Sequence, residues 1–379
     1  MESLRGRGVV ICTGWRERPL SRQNWALAKR LAEDGVRVVL VLDGKPDHHE
    51  DPWNGAKVVT WPSSRPTHAR DAAFFWRLLG EHQPDAVLAN FGSVNIAMLV
   101  GAARRVPIRA AWYRTLTDQI ALDEPRMNRA REMLLTKRKQ LVYRFATNVV
   151  AVSNAARDDA ALTYSIRSDK FRVVHSCRPD PLELIGTRPP RASDTLRIAC
   201  VGRLEPSKGQ DVLIRAVGEL LRLEPEWDIK LELIGDGAER AHYERVAEES
   251  GAAGVVEFAG NMTQLDVYRR LAVADVLAIP VRTDAGPGVI AEGLGSGLPL
   301  VVAASGGIPE LLDGSSCAVL VPPEDHHAFA SGLQAVLTDP GRRADMARVS
   351  RELFEARFHL SLWVDEVVAW LDEEFRALT

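Results

Sequence analysis

Short apolar runs alternate with longer stretches of helical period along almost the whole chain. Val9–Cys12 reads as a buried strand, Trp25–Asp34 as a helix stopped by Gly35, and Val36–Leu42 as the next strand. The alternation continues with strands near Ala86–Leu88, Ile108–Trp112, Val149–Val152 and Arg172–His175. Continuous apolar strands separated by helices imply a parallel sheet covered on both faces.

The stretch Pro179 to Thr195 breaks this rhythm. It holds Pro179, Pro181, Gly186, Pro189 and Pro190 with few periodic apolar positions, so residues 181–195 read as an interdomain linker. The alternation then restarts over Leu196–Val201, Gly209–Leu223, Ile229–Ile234, Ala238–Ser250, Val255–Ala259, Thr263–Ala272, Val276–Ile279, Glu292–Gly295, Leu300–Ala303 and Cys317–Val321. Helical segments near Asp325–Leu337, Arg342–Arg357 and Leu360–Phe375 follow. The expected fold is α/β: two doubly wound Rossmann-like domains, 1–180 and 196–358, facing across a cleft. The segment 359–379 is a closing helix that can pack back on the first domain. In such sheets ligands bind beyond the carboxyl ends of the strands, which makes the cleft the default site.

A length of 379 residues suits two domains of ordinary size. The formal net charge of -3 gives no general pull toward nucleic acid or anionic lipid, so small-molecule partners are expected and oligomeric state stays open. Cys12, Cys177, Cys200 and Cys317 lie far apart with no metal-ligand spacing, as suits reduced, buried thiols in the cytosol. The apolar run after Arg5 and Arg7 is too short for a signal-peptide core. No later stretch reads as a membrane span, so a cytoplasmic location is expected.

Two segments carry chemistry. The first is Val201-Gly202-Arg203-Leu204-Glu205-Pro206-Ser207-Lys208-Gly209, placed between a strand and a helix. Arg203 offers a planar fork of donors and Lys208 a mobile point charge, so the two can converge on a diphosphate. Lys208 also lies just before a helix N-terminus, where the dipole favours anions. Taken alone, the segment fits two solvated surface charges equally well. The second is Asp284-Ala285-Gly286-Pro287-Gly288-Val289-Ile290-Ala291-Glu292, with a further turn at Ala304-Ser305-Gly306-Gly307-Ile308-Pro309-Glu310. Bare backbone there can approach a polyhydroxylated ligand, and carboxylates accept hydrogen bonds from vicinal hydroxyls.

These segments together resemble the signature of the large family of retaining glycosyltransferases with the B-type (GT-B) fold, glycosyltransferase family 4 (glycosyl transferases group 1). The match runs Gly-Arg…Lys-Gly after a strand, then two acidic residues flanking seven positions, then Gly-Gly-x-x-Glu. Leu233-Ile234-Gly235-Asp236-Gly237, Phe258-Ala259-Gly260 and Ala151-Val152-Ser153 match as well. The resemblance covers essentially the whole C-terminal half and the N-terminal half in outline. It implies that Arg203 and Lys208 hold the donor diphosphate as it leaves. It gives Asp284 and the backbone of Gly288, Val289 and Ile290 the transferred sugar, and Glu292 the ribose hydroxyls. Asn261 and Met262 would lie near the base, and Gly14 near the diphosphate. Departures are Asp284, where the family usually has Glu, and the N-terminal loops. Those read Gly14-Trp15-Arg16, Ala89-Asn90-Phe91 and Trp112-Tyr113-Arg114 where paired glycines and histidines are usual.

The expected activity is transfer of a sugar from a nucleoside diphosphate sugar to an acceptor hydroxyl or amine. Retention of configuration is implied by the resemblance alone. No evident nucleophile exists, so the leaving phosphate itself could take the acceptor proton. Acceptor contacts are expected from Arg16, Asn90, Tyr113 and Asp118. A sugar-nucleotide 2-epimerase-like isomerase of the same fold and a non-catalytic sugar-nucleotide-binding protein are the rivals.

Weaker signals change little. Position 240 is Arg, which removes the third glycine of a nicotinamide fingerprint at Gly235-x-Gly237. His48-His49 and His326-His327 suggest no third ligand and read as solvated. No Asp-x-Asp-like motif follows a strand, so no cofactor and no essential metal are expected. The basic stretch Arg126 to Arg144 has Leu134, Leu141 and Phe145 as an apolar stripe. A solvated helix face is the preferred reading there, ahead of association with a membrane surface.

Overall fold

A computed structural model describes residues 2–14, 19–43, 55–124, 128–186, 194–312 and 314–378. The chain clusters into two compact units. The first comprises Met1–Arg114, Arg126–His175 and Ser361–Thr379, and the second Thr115–Pro125 and Ser176–Leu360. The N-terminal half is thus not one contiguous piece, because Thr115–Pro125 leaves it to join the second unit.

In the first unit the strands are β1 (Gly8–Thr13), β2 (Arg37–Leu42), β3 (Ala56–Thr60), β4 (Ala86–Ala89), β5 (Ile108–Tyr113), β6 (Asn148–Ala151) and β7 (Phe171–Val173). They form a sheet in the order β3-β2-β1-β4-β5-β6-β7, all pairs parallel. β1 and β4 are buried along their whole lengths, which is why they read as unbroken apolar runs. β3, with only Ala56 fully buried, had no such signature. The closing helix Leu360–Arg376 packs on this unit. Trp363 and Trp370 are buried, each with its ring 6.3 Å from that of Trp112.

In the second unit β8 (Leu196–Val201), β9 (Ile229–Ile234), β10 (Val256–Gly260), β11 (Val276–Ile279), β12 (Leu300–Ala303) and β13 (Ala318–Val321) form a parallel sheet in the order β10-β9-β8-β11-β12-β13. The helix Gln210–Leu223 turns Leu213, Val217 and Leu220 into the core against Leu231 and Leu233. The expected linker is partly helical: Pro181–Ile185 forms a short helix with Asp180 as N-cap, accepting from Leu182 N at 2.8 Å. Pro181 at the first helical position is the start signal that the proline count obscured. Residues 187–193 lie outside the described residues.

Each sheet reverses its order once, at β1/β4 and at β8/β11. The loops leaving those strands are where a doubly wound sheet opens to a ligand.

Candidate active site

The loops after β8 and β11 bring the two chemical segments of the second unit together. Lys208 ends a short turn, Pro206–Lys208, and its Nζ donates to Asp284 Oδ2 at 2.5 Å. Asp284 is buried, and its Oδ1 accepts from Gly286 N at 2.9 Å. Its carbonyl accepts from Gly307 N at 3.0 Å, which joins the second glycine turn to the same centre. Gly306 sits at φ 56°, and a Cβ there would lie 2.0 Å from the Asp284 carbonyl oxygen, so only glycine closes this turn.

Arg203 stands out from the surface, its side chain 63% exposed, and is paired with Glu205. Burial, with the Asp123 carboxylate beside it, raises the Glu205 pKa, while Arg203 and Lys208 pull it down. Both expected diphosphate cations therefore act on one carboxyl of the same loop. Two residues not singled out in the sequence shape that loop. Asp123 accepts from Ser207 N and Ser207 Oγ, each at 3.0 Å. Arg282 donates to Pro206 O at 2.7 Å and grips Asp211 at 3.0 and 2.7 Å. Burial works against its charge, but Asp211 and Glu324 hold its pKa above the ordinary value.

The helix Gly288–Gly295 starts behind Pro287 with no side-chain cap, so its first turn presents the N–H groups of Gly288 and Val289, while that of Ile290 donates to Pro287 O at 3.0 Å. Glu292 on this helix is buried against Arg178, whose Nε donates to Oε1 at 3.0 Å. Arg178 Nη1 donates to Cys177 O at 3.0 Å. Its Nη2 lies so close to Gly288 that a Cβ there would meet it at 1.7 Å. Arg178 falls within the expected N-terminal domain, next to the linker, and nothing in its local sequence announced a role. Asn261 is exposed and Met262 half-buried, on the loop leaving β10.

In the first unit Gly14, Asn90 and Tyr113 lie at the carboxyl ends of the neighbouring strands β1, β4 and β5. Gly14 is buried at the end of β1, its carbonyl accepting from Trp25 Nε1 at 3.2 Å. Arg16 lies outside the described residues. Asn90 is buried and works inside the sheet: Nδ2 donates to Cys12 O at 3.4 Å and Oδ1 accepts from Arg114 Nε at 3.2 Å. Tyr113 is buried too, its hydroxyl bonded to Asp159 and its ring against Tyr143 and Tyr164. Burial first, and then Asp159, raise its pKa far above the usual phenol value. Asn90 and Tyr113 thus have polar atoms engaged within the unit. Asp118 is exposed on the helix Thr117–Asp123, which belongs to the second unit.

Phe91, quoted in the sequence only as a departure, is more informative. It follows β4 at the order reversal, 54% exposed at φ 50°. A left-handed conformation costs a residue with a Cβ about 1–2 kcal/mol and is worth attention in a ligand-facing loop.

One correction concerns the histidines. Glu219 stands beside His326 and His327 as a third possible ligand, its Oε2 2.6 Å from His327 Nδ1. The pair opens the helix His326–Leu337, where the dipole disfavours a cation. His48 and His49 lie outside the described residues. The four cysteines are buried and form no disulfide, with Cys200 pushed up to about 12 by burial.

The sequence matches two family models, glycosyl transferases group 1 over residues 195–339 and Glycosyltransferase Family 4 over residues 20–177. It is 32% identical over 298 residues to the GDP-mannose-dependent alpha-(1-6)-phosphatidylinositol monomannoside mannosyltransferase of Mycolicibacterium smegmatis, covering 73% of each chain. The chain belongs to this glycosyltransferase family. A D-inositol 3-phosphate glycosyltransferase of Corynebacterium aurimucosum is 32% identical over 158 residues, covering 40% of this chain and 37% of that protein. Sucrose-phosphate synthase from Thermosynechococcus elongatus has the same fold, with a TM-score of 0.77 at 17% identity, over 98% of this chain and 100% of that one. WaaG, a glycosyltransferase involved in lipopolysaccharide biosynthesis, superposes with a TM-score of 0.70 at 18% identity, over 94% and 98% of the chains. The protein is therefore a glycosyltransferase with the GT-B fold. Among the described residues, no helix is long and apolar enough to cross a membrane.

Proposed function

We propose that this glycosyltransferase moves a hexose from a nucleoside diphosphate sugar to an acceptor hydroxyl, with retention of configuration. The observation that carries the reading is the convergence of Lys208 on Asp284 beside the uncapped start of the helix Gly288–Gly295. Asp284 holds the Lys208 ammonium in place, and Arg203 adds a second cation on the same loop. The pair stabilises charge that grows on the diphosphate as the glycosidic bond breaks. The first-turn N–H groups and Asp284 position the sugar. The departing phosphate oxygen takes the acceptor proton, since both oxygens of the Asp284 carboxylate are engaged, one by Lys208 and one by Gly286 N. Protein cations neutralise the diphosphate, so the reaction needs no metal ion.

The relatives' names make GDP-mannose the first donor to test, and an inositol-containing polyol the first acceptor. An exposed aromatic face such as that of Phe91 suits the C–H surface of a cyclitol or sugar ring. The test is a donor panel with and without acceptor, in the presence and absence of a chelator. Acceptor-dependent release of nucleoside diphosphate, undiminished by EDTA, is the expected result, with the anomeric configuration read by NMR. A new sugar isomer without acceptor would establish an epimerase instead. Complete loss in EDTA, restored by Mg²⁺ or Mn²⁺, would overturn the metal-free mechanism.

A further inference from the structure

Apart from the loops that carry the chemistry, the second unit brings together three side chains of the kind that bind transition metals. Glu219 lies on the helix Gln210–Leu223, between the buried Val217 and Leu220. His326 and His327 open the helix His326–Leu337. The two helices pack against each other and share one core, in which Leu213 and Val217 meet Phe329 and Leu333. The sequence separates Glu219 from the histidines by more than a hundred positions, so only this packing makes them neighbours. Each of the three residues offers one ligand atom, and these atoms lie within 4.8 Å of one another. The Glu219 side chain is mostly covered, at 17% exposure, while that of His327 is 69% exposed.

A plain histidine–carboxylate hydrogen bond does not account for the cluster. Glu219 Oε2 is shielded from solvent and stands 2.6 Å from His327 Nδ1, yet the contact is not aligned as a hydrogen bond. A covered carboxylate oxygen without a donor is costly. Two polar atoms that touch without pointing at each other are placed as two ligands of a common ion are. The His326 and His327 rings lie 4.1 Å apart, tilted by 34°. A tetrahedral shell with bonds of about 2.1 Å keeps its ligand atoms about 3.4 Å apart. The spacings here, from 2.6 Å to at most 4.8 Å, bracket that value, so side-chain rotation suffices to collect the three atoms. Two imidazoles and one carboxylate suit Zn²⁺ and its late first-row neighbours, whereas Mg²⁺ and Ca²⁺ take shells of oxygen. The exposure of His327 leaves the outer side of the shell to water. The helix start opposes a cation, but at an exposed position that amounts to at most about fivefold in binding, against three direct ligands.

We propose that Glu219, His326 and His327 form a binding site for a late transition-metal ion, Zn²⁺ foremost, which braces the start of the helix His326–Leu337 against the helix Gln210–Leu223. Both braced elements border the loop that carries Lys208. The helix Gln210–Leu223 begins directly after that loop. Glu324, two residues before His326, accepts from Arg282 Nε at 2.7 Å, and Arg282 in turn holds Pro206 O in the loop. Asp325, between them, caps the second helix by accepting from Ala328 N at 2.9 Å. An ion on Glu219, His326 and His327 therefore ties together the two elements between which the loop is held. Its effect is on the stability of the folded second unit. The transfer proposed above needs no metal ion and is unaffected, and the site holds for any donor sugar.

The test is titration of the full chain, free of any affinity tag and stripped of metal, with Zn²⁺ in competition with a chromophoric chelator. Co²⁺ serves as a second probe, since its visible absorption reports nitrogen and oxygen ligation. One ion per chain is expected, with no comparable binding of Mg²⁺. Because the ion binds the folded form, Zn²⁺ at a hundredfold excess over its dissociation constant should raise the melting temperature by several degrees. His326→Ala, His327→Ala and Glu219→Gln should each weaken Zn²⁺ binding at least about tenfold, abolish the rise in melting temperature and change the Co²⁺ spectrum. His242→Ala, at an exposed histidine on the helix Arg240–Glu249, should change none of these. Melts of the metal-free variants should match that of the metal-free wild type, which excludes misfolding, and turnover should be unchanged in all of them. The absence of a saturable site in the wild type would overturn the proposal. So would Zn²⁺ binding of equal strength in the wild type and the three ligand variants, which would leave adventitious surface binding only.

Discussion

At the scale of single residues, the site rests on charges that are held rather than merely present. Lys208 has three N–H donors, and the buried Asp284 holds one, which fixes the position of the ammonium. Lys208→Ala and Arg203→Ala should each depress turnover more than substrate binding, because the diphosphate gains charge only as the bond breaks. Loss of one such preorganised contact typically costs on the order of 10²–10³ in rate. Steady-state kinetics check this, and near-normal turnover in both variants would remove the pair from the mechanism. Lys208→Ala should also lower the melting temperature, since it strands the Asp284 carboxylate, whereas the exposed Arg203 should not. Glu292 carries the second residue-scale prediction. Its Oε1 is taken by Arg178, which leaves the rest of the carboxylate for the ribose. Glu292→Gln should weaken binding of the nucleoside diphosphate in calorimetry. Arg178→Met should do the same by freeing Glu292 from its position. Breaking such a buried pair from one side costs roughly 3–5 kcal/mol, so both variants should melt earlier. Unchanged nucleotide affinity in both would leave Glu292 as a structural ion-pair partner.

At the scale of elements, the strand–loop–helix units dictate where those charges sit. The turn between β8 and the helix Gln210–Leu223 closes only because Gly209 adopts φ 65°, with a Cβ position 2.1 Å from Pro280 O. That close approach is what brings the β8 loop against the β11 loop, and so Lys208 to Asp284. Gly209→Ala should cost at least the 1–2 kcal/mol of a left-handed residue, with the backbone clash added. The expected outcome is a melting temperature lower by several degrees and a large loss of turnover. Gly254→Ala, where a Cβ meets nothing within 4 Å, is the control that should stay close to wild type. The short helix Thr117–Asp123 acts at the same level, since its last residue fixes Ser207, the neighbour of Lys208. This role could not be read locally. Asp123 is simply one acid among many until the chain crosses into the second unit.

At the scale of the whole molecule, the chain leaves and re-enters each unit. The last segment, Ser361–Thr379, belongs to the first unit although the second unit precedes it directly. Trp363, Val367, Trp370, Leu371 and Phe375 are all buried there. Burying a large apolar side chain is worth about 1.5–3 kcal/mol, so together these exceed much of a domain's usual stability of about 5–15 kcal/mol. Removal of residues 361–379 should therefore abolish cooperative melting of the first unit and expose Trp112, seen as a red-shifted tryptophan emission. A truncated chain that melted like the intact one would show that the closing helix is dispensable.

Much of this protein is legible without a structure, for a local reason. Strand and helix periods, the glycines of tight turns and the cations placed before a helix are written within a few residues of one another. The alternation along the chain therefore announced two doubly wound sheets, and the segments 201–209 and 284–292 announced the glycosyltransferase family. β3 escaped because an edge strand with one fully buried residue has no apolar run to display. What only the tertiary structure decided is partnership. Arg178 meets Glu292 across 114 positions, Ser207 meets Asp123 across 84, and Tyr113 meets Asp159 across 46. Tyr113, which in sequence looks like a ligand-facing aromatic, is thereby drawn into the core of its unit, and Phe91 is left facing solvent. Such pairings follow from strand order and from which loops the order reversals bring side by side, and neither is encoded within the span of any one element.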